Sequence, residues 1–251
     1  AVVDMGPVTG TVDGSAPELN IERSVTWAQL SSSVDRLAVA LLRTGVRPGD
    51  RVNLMVPPGS MLTTLIYACL RIGAVIVVAD QGLGRKGLTR ALKGSSPQWF
   101  VGIRKALVGA RALGWPGRRI AADSLDPVSK KLLGVEHTVA ELMDSVTSVD
   151  PAEIPAVDPD AEAAVLFTSG STGPAKGVVY THRQMAGMRD TIRDTYGLRA
   201  GTGLVAGFAP FALLGPALGA ASVTPDMDVT SPKTLTAQAL AEATMAIRAT
   251  P

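Results

Sequence analysis

The sequence contains few residues that could cross-link the chain or bind a metal ion. Its 251 residues include one cysteine, Cys69, and two histidines, His137 and His182. One cysteine cannot form a disulfide within the chain, and one cysteine with two histidines cannot assemble a metal cluster. We therefore expect no metal site and a buried, unreactive thiol at Cys69. The same cysteine usage is compatible with a reducing cytoplasm, which is the predicted location.

Aromatic residues and long runs of positive charge are also scarce. Aromatics make up 4% of the chain, the formal net charge is +2, and no long basic run occurs. Surfaces that stack on bases need both features, so a nucleic-acid partner is not indicated. Hydrophobic residues at 46% and charged residues at 18% are instead typical of a folded globular chain.

No stretch of the sequence indicates a membrane span or a signal peptide. The longest hydrophobic run, residues 61–79, is interrupted by Arg71 and Gly73. It favours a buried helix followed by a buried strand rather than a transmembrane segment. The first residues are rich in Gly, Pro and Asp instead of being basic and then apolar, so they do not resemble a secretion signal.

The rest of the sequence alternates between helical and strand patterns. Residues 1–24 are predicted to be an extended lead-in, 25–149 a first α/β region, 150–160 a linker and 161–251 a second α/β region. Helices are predicted at residues 27–44, 60–72, 88–93, 105–113, 139–146, 183–196 and 235–248, with a short helix or turn at 210–218. Strands are predicted at residues 24–27, 51–56, 74–79, 98–103, 118–122, 163–167, 177–181, 203–208 and 220–223. This rhythm predicts an α/β fold with layered, mainly parallel sheets flanked by helices.

One glycine-rich stretch has the composition that binds a phosphate. Residues 168–177 read Thr-Ser-Gly-Ser-Thr-Gly-Pro-Ala-Lys-Gly, and the apolar segments 163–167 and 177–181 on either side predict two short buried strands. Glycines let the backbone N–H groups approach an anion closely, and the hydroxyls add donors. Lys176 adds a compact positive charge, and Pro174 stiffens the connection.

Three better-known glycine-rich motifs do not fit this stretch. A P-loop needs Gly-Lys-Ser/Thr, but Ala175 precedes the lysine and Gly177 follows it. The spacing of a Gly-x-Gly-x-x-Gly dinucleotide fingerprint is absent, and Ser169 occupies the first glycine position of a Gly-x-Ser-x-Gly nucleophile elbow. The remaining alternative is an ordinary Ser/Thr/Gly surface loop that happens to contain a lysine.

Residues 165–176 resemble the phosphate-binding signature of the adenylate-forming superfamily, which comprises acyl-CoA synthetases, luciferases and adenylation domains. Residues 45–52 are similar to an early segment of that superfamily. Three further segments, 79–88, 100–106 and 208–219, resemble the branch that contains the β-lactone synthetases of bacterial olefin biosynthesis. The resemblance implies that this chain is the incomplete N-terminal domain of an adenylate-forming enzyme.

The resemblance also implies a reaction and the residues that serve it. ATP with Mg2+ and a long-chain carboxylic acid would be the substrates, and the product would be an acyl-adenylate that closes to a β-lactone or is passed to CoA. The residues implied to hold the β- and γ-phosphates are Thr168, Ser169, Gly170, Ser171, Thr172, Gly173 and Lys176. The catalytic segments of the superfamily are not found up to Pro251, so this fragment alone is expected not to release pyrophosphate from ATP with fatty acids.

Weaker candidates have an equally good structural explanation. Phe208, Phe211 and Leu213 could line an acyl groove or simply form core. His182 could act as a general base, but a hydrogen-bonded structural histidine is the preferred interpretation. Two other functions stay open: a non-catalytic nucleotide- or phosphate-binding module, and a half-protein that associates with itself or a partner through exposed surface.

Overall fold

The computed structural model describes residues 2–4, 24–79, 83–168, 176–207, 213–227 and 232–247. The chain divides into two compact units. The larger unit comprises residues 32–57 and 64–185, and the smaller unit comprises residues 1–31, 58–63 and 186–251. The domain boundaries expected from the sequence stay a prediction.

The described secondary structure follows the alternation expected from the sequence. In chain order the elements are β1 (Val2–Asp4), β2 (Ser24–Val25), α1 (Trp27–Thr44), β3 (Arg51–Met55), α2 (Ser60–Arg71), β4 (Val75–Ala79), α3 (Gly84–Ser95), β5 (Trp99–Gly102), α4 (Arg104–Leu113), β6 (Arg118–Ala121), α5 (Pro127–Leu133), β7 (Val135–Thr138), α6 (Val139–Asp144), β8 (Glu162–Thr168), β9 (Lys176–Thr181), α7 (His182–Thr195), β10 (Gly203–Val205), β11 (Ala221–Thr224) and α8 (Ala237–Ala246).

The larger unit is built on a seven-stranded sheet in the order β7-β6-β5-β3-β4-β8-β9. Every neighbouring pair from β7 to β8 is parallel, and only β9 runs antiparallel to its neighbour. The connection from β3 to β4 moves one way along this order, whereas the connections from β4 through β5 and β6 to β7 move the other way. Because such crossovers are right-handed, α2 lies on one face of the sheet and α3, α4 and α5 lie on the other. The predicted α/β fold with a mainly parallel sheet is confirmed.

The face that carries α3, α4 and α5 has one shared core. Leu92 of α3 and Leu107 of α4 are fully buried there against Phe100 of β5. The indole Nε1–H of Trp115, which follows α4, donates to Thr89 Oγ1 at 3.0 Å. Leu133 of α5 belongs to the same buried cluster, so the three helices share one core on this face.

On the other face, α1 is connected by polar contacts to α2 and α6. The Arg36 guanidinium donates to the Met143 carbonyl at 2.6 Å, and Arg71 pairs with Asp35 at 3.3 Å. The three- and four-residue spacing of leucines in α1 buries Leu37 and Leu41 completely. The chain turns sharply just after this helix because Gly45 takes a φ of +109°.

The smaller unit contains a four-stranded sheet in the order β10-β11-β1-β2. Strand β1 comes from the predicted lead-in, pairs in parallel with β11 and antiparallel with β2, and buries Val2. Helix α8 begins after Thr236, whose hydroxyl accepts the Ala239 N–H. The sheet thus joins the start of the chain to strands that come some 200 residues later.

Two sequence-based expectations need correction. Residues 127–138, for which no helix or strand was predicted from the sequence, form α5 and β7. The segment after the glycine-rich stretch was predicted to be a buried strand, but β9 lies at the margin of the sheet with Val178 40% and Val179 46% exposed. An apolar pair such as Val178 and Val179 does not reveal from sequence whether a strand is central or marginal.

No helix in the described part of the chain is long and apolar enough to cross a membrane.

Candidate functional site

The glycine-rich stretch connects the antiparallel strands β8 and β9. Their register places Phe167 opposite Gly177 and Thr168 opposite Lys176, so the two ends of the connection are direct cross-strand neighbours. Of the residues predicted to hold phosphate, Thr168 ends β8 and Lys176 begins β9. Ser169, Gly170, Ser171, Thr172 and Gly173 lie outside the described residues.

Lys176 is placed where its charge is accessible. Its side chain is exposed and forms no ion pair with any residue that the structure describes. It lies at the carboxyl end of β8, which is the end of parallel strands where α/β sheets bind ligands. An exposed ammonium beside consecutive glycine and hydroxyl residues is a suitable environment for a polyphosphate.

The register of the hairpin is fixed by packing directly beneath this connection. A Cβ atom on Gly177 would lie 3.0 Å from Val165 Cγ1 and 3.1 Å from Phe167 Cε1. The Phe167 ring therefore lies across the glycine backbone, and a side chain at position 177 would displace it. This contact was not predicted from the sequence. Its only signal in the sequence is the glycine that follows Lys176, which the strand register places opposite Phe167.

The other end of the hairpin is tied to the turn that precedes β8. The backbone N–H groups of His182 and Arg183 donate to the carbonyls of Ala161 at 3.1 Å and Pro159 at 2.7 Å. The Arg183 guanidinium also donates two hydrogen bonds to the Asp160 carboxylate, at 2.6 and 2.9 Å. These bonds hold the pKa of Asp160 below its ordinary value.

Helix α7 begins at this point with a reciprocal cap. The Thr181 N–H donates to Gln184 Oε1 at 2.9 Å, and the Gln184 N–H donates to Thr181 Oγ1 at 3.2 Å. The Thr-His-Arg-Gln sequence is the signature of such a capping box and could have been recognised from the sequence. The cap makes β9 lead directly into α7.

His182 is half-buried at the first position of α7. Its Nε2 atom is shielded from solvent and has no hydrogen-bond partner among the described residues. Burial lowers the pKa of this imidazole below its ordinary value. The hydrogen bond predicted for a structural histidine is therefore not found at Nε2 among the described residues. Burial favours the neutral form of the imidazole.

An open pocket of about 340 Å3 lies beside the hairpin, between it and α3. Val165, Phe167 and Val179 line it with apolar side chains, and Arg51 and Arg90 are its charged lining residues. The Arg51 guanidinium is already engaged, because it donates to the Ser95 carbonyl at 3.2 Å and pairs with Glu162 at 3.1 Å.

The predicted acyl residues lie in another part of the chain. Leu213 belongs to the smaller unit and is half-buried, whereas Phe208 and Phe211 lie outside the described residues. The acyl role of these three residues stays a prediction.

Within the described residues, no three His, Cys, Asp or Glu side chains come together to hold a metal ion. Lys176, which begins β9 beside the glycine-rich connection, offers an ammonium that suits an anion.

Comparisons with known proteins agree with the chemistry of this site. The profile of a family described as AMP-binding enzyme matches residues 10–244. An olefin β-lactone synthetase of Stenotrophomonas maltophilia is 37% identical over 209 residues, which are 83% of this chain and 37% of that protein. An olefin β-lactone synthetase of Xanthomonas campestris pv. campestris is 35% identical over 211 residues, which are 84% of this chain and 37% of that protein. The chain thus spans well under half the length of these two curated relatives.

The fold agrees as well. The structure of O-succinylbenzoate coenzyme A synthetase from Bacillus subtilis, solved in complex with ATP and magnesium ion, superposes with a TM-score of 0.66 at 17% identity. It aligns with 100% of this chain, which covers 58% of that chain. At this identity the similarity concerns the fold alone. The predicted resemblance to the adenylate-forming superfamily, and within it to the β-lactone synthetase branch, is confirmed, and the chain belongs to the AMP-binding enzyme family.

Proposed function

We propose that this chain is part of an ATP-dependent ligase that activates a fatty or β-hydroxy fatty acid as its acyl-adenylate and closes it to a β-lactone. The observation that carries the proposal is the β8–β9 hairpin, which brings Thr168 and Lys176 together at the two ends of a Ser/Thr/Gly connection. The family match over residues 10–244 and the names of the two curated relatives support it.

The proposed chemistry has two steps. The substrate carboxylate attacks the α-phosphate of ATP, and pyrophosphate leaves. The β-hydroxyl of the same molecule then attacks the activated carbonyl, loses its proton, and AMP leaves. Both steps crowd negative oxygens together, so the protein contributes mainly by positioning and by placing positive charge and N–H donors near them.

The residues proposed to hold the β- and γ-phosphates are the seven named from the sequence: Thr168, Ser169, Gly170, Ser171, Thr172, Gly173 and Lys176. ATP would be accompanied by Mg2+, which neutralises part of the phosphate charge. The acyl chain is proposed to contact Phe208, Phe211 and Leu213. We also place the protein in the cytoplasm, where ATP is abundant and the single thiol stays reduced.

Titration of ATP tests the phosphate site directly. A hydrogen bond to a charged oxygen contributes roughly 1.5–3 kcal/mol, so Lys176→Ala is expected to weaken ATP binding by about 10- to 150-fold in isothermal titration calorimetry. Lys233→Ala is the matched control, because Lys233 is an exposed lysine of the smaller unit that lies outside the predicted site. Equal affinities of the Lys176→Ala variant and the unmodified chain would remove the phosphate assignment.

A second candidate function is a fatty acyl-CoA ligase. The sequence similarity to an acetyl-coenzyme A synthetase of Desulfatibacillum aliphaticivorans, 29% identical over 182 residues, favours it. In such a ligase the activated carbonyl would be attacked by a thiol instead of the β-hydroxyl. Incubation of the full-length protein, of which this chain is proposed to be a part, with ATP and a β-hydroxy fatty acid, with and without CoA, separates the two by mass spectrometry. A lactone that forms without CoA supports the main proposal, whereas a thioester that forms only with CoA supports the second.

A third candidate is a non-catalytic module that binds a nucleotide or phosphate through the same hairpin. It predicts the same loss of ATP binding in Lys176→Ala but no product of either kind. The two experiments together therefore distinguish all three functions.

A further inference from the structure

Helices α3, α4 and α5 contain basic residues and no acidic ones. Together they contain nine Lys or Arg residues and no Asp or Glu. The net charge of the whole chain is only +2, so the remainder of the chain is net negative. The three helices share one buried core, which means that these cations are collected on a single surface although no basic run occurs in the sequence.

Most of these cations are unpaired. Lys130 pairs with Glu141 at 2.7 Å. The other eight side chains are exposed, and none of them forms an ion pair with a described residue. Elsewhere in the larger unit the pattern is the opposite, since Arg43, Arg71 and Arg118 each pair with a carboxylate.

Two further carboxylates beside this surface accept N–H groups from the first turns of α4 and α5. Asp123 accepts the Arg104 N–H at 2.7 Å, and Asp126 accepts the Ser129 N–H at 2.9 Å. Burial lowers the pKa of the Arg119 guanidinium on β6, and the positive charge of Arg111 lowers it further. The nine cations outnumber the three carboxylates beside them, Asp123, Asp126 and Glu141, so the surface keeps a net positive charge.

The exposed positions form three stripes at helical spacing. Lys86, Arg90 and Lys93 of α3 follow each other at intervals of four and three residues and form a purely cationic stripe. In α4, Val108 lies between Arg104 and Arg111 at the same intervals. The stripe of α5 combines Val128, Lys131 and Leu132.

The apolar members of these stripes are unusually exposed. Val108 is 50% exposed, Val128 75% and Leu132 71%. The Arg104 guanidinium donates to Ser129 Oγ at 3.1 Å, so the α4 and α5 stripes are direct neighbours. Valine and leucine side chains that stand out among lysines and arginines are typical of helices that rest on a lipid interface.

We propose that this basic face, defined as the exposed stripes of α3, α4 and α5, binds the anionic surface of a lipid bilayer. The cations attract acidic headgroups, and Val108, Val128 and Leu132 enter the boundary between headgroups and acyl chains. A nucleic acid is the less suitable partner, because these helices expose no aromatic side chain that could stack on bases. The inference uses neither the glycine-rich connection nor ATP, so it stands independently of the proposed function.

Vesicle flotation with the whole chain tests the proposal. Binding is expected to vesicles of phosphatidylcholine mixed with phosphatidylglycerol, to weaken as salt is added, and to be absent with phosphatidylcholine alone. Binding to both kinds of vesicle with equal strength, or to neither, overturns the proposal.

Charge variants test whether the basic face is responsible. Each cation near an anionic surface is worth about fivefold in partitioning, so the triple variant Lys86→Gln, Arg90→Gln, Lys93→Gln is expected to bind about 100-fold more weakly. The matched control removes three exposed cations elsewhere, by Arg47→Gln, Arg199→Gln and Lys233→Gln. Equal losses in both triple variants would mean that binding follows net charge alone, and the proposal would be wrong. Circular dichroism verifies that both variants are folded.

A second pair of variants tests the apolar contribution. Val128→Ser with Leu132→Ser is expected to weaken binding to the mixed vesicles at unchanged charge. Met245→Ser is the control, because Met245 of α8 is 76% exposed but lies outside the basic face. No loss in the double variant, or binding of a labelled DNA duplex that exceeds binding to the mixed vesicles, would contradict the assignment to lipid.

Discussion

Phe167 and Gly177 form a close cross-strand contact beside the glycine-rich connection. The ring of Phe167 covers the Gly177 backbone. Phe167 lies next to Thr168 and Gly177 next to Lys176, the pair that closes the connection. Any change in this contact alters the cross-strand pair next to it, which is Thr168 with Lys176. The residues proposed to bind phosphate therefore depend on a pair that touches no phosphate.

The first prediction concerns this pair. Gly177→Ala is expected to lower the free energy of unfolding by about 1–3 kcal/mol, because the added Cβ meets Phe167 and Val165 at 3.0–3.1 Å. Phe167→Leu removes the ring atoms in question, so the double variant should lose less stability than the two single losses combined. Urea unfolding of the four proteins measures this coupling. Strictly additive losses would show that the two residues do not interact as described.

The second prediction concerns His182 and pH. Burial lowers the pKa of this imidazole from its ordinary 6.5, so the unfolded chain binds the proton more readily than the folded chain. The contribution of the neutral His182 side chain to the free energy of unfolding is therefore complete above pH 6.5, and it is progressively lost as the pH falls below that value. In His182→Gln this part of the pH dependence should disappear from urea midpoints measured between about pH 7.5 and about pH 5.5.

His137→Gln, which removes the other imidazole, is the matched control for the pH experiment. Loss of the pH dependence in both variants, or in neither, would contradict its assignment to His182.

At the scale of elements, Arg118 connects three parallel strands. Its guanidinium lies 4.1 Å from the ring centroid of Trp99 in β5 and donates to both carboxylate oxygens of Glu136 in β7 at 2.6–3.1 Å. Trp99 in turn donates its indole N–H to Asp50, just before β3, at 3.1 Å. One arginine on β6 thus joins neighbouring strands at the amino end of the sheet.

The third prediction follows from this geometry. Arg118→Lys keeps the charge but loses the bidentate bond and most of the stacking, so it is expected to cost about 1 kcal/mol in urea unfolding. The ion pair itself is half-exposed and contributes little of that amount. Arg71→Lys is the control, because Arg71 makes a single exposed contact with Asp35 and should lose much less. Equal losses would show that the stacking on Trp99 does not stabilise the sheet.

Which elements could be predicted depended on how strongly the residue pattern repeats. Helix α1 repeats its leucines and alanines at helical spacing within 18 residues, and its predicted range of 27–44 is confirmed. Strand β7 has only four residues with one buried valine at its start, so its pattern is too short to recognise. Helix α5 has a sequence signal that was overlooked, since Asp126 caps it and Pro127 occupies its first turn. Of the candidate site, the sequence predicts the residue types, whereas the pairing of Phe167 with Gly177 depends on the register of the strands.

At the scale of the whole molecule, charge and apolar surface are distributed in ways that the order of residues does not reveal. The cations of the basic face are spread over nearly fifty positions of the sequence and meet only because α3, α4 and α5 pack on one face. The exposure of β9 likewise follows from its place at the margin of the sheet and not from its own residues. The sequence can therefore exclude a continuous basic run, but it cannot exclude a basic surface that the fold assembles from separate segments.

The fourth prediction uses Cys69 to report on the larger unit. This thiol is completely buried in α2, and burial raises its pKa to about 12. A thiol reagent such as Ellman's reagent is therefore expected to react with the folded chain at least about 1,000-fold more slowly than with the urea-unfolded chain. The rate in native buffer then measures opening of the larger unit. Rapid modification without denaturant would show that α2 does not shield Cys69.

The hairpin of β8 and β9 has a consequence for how this region can change. Its two strands follow each other in the sequence and pair directly, whereas the six parallel strands of the sheet are joined by long crossover connections. Insertions, deletions or transplanted sequences between positions 168 and 176 would therefore leave the threading of the sheet intact. The sequence of this connection, and with it the proposed preference for an anion, can therefore change during evolution while the parallel sheet stays the same.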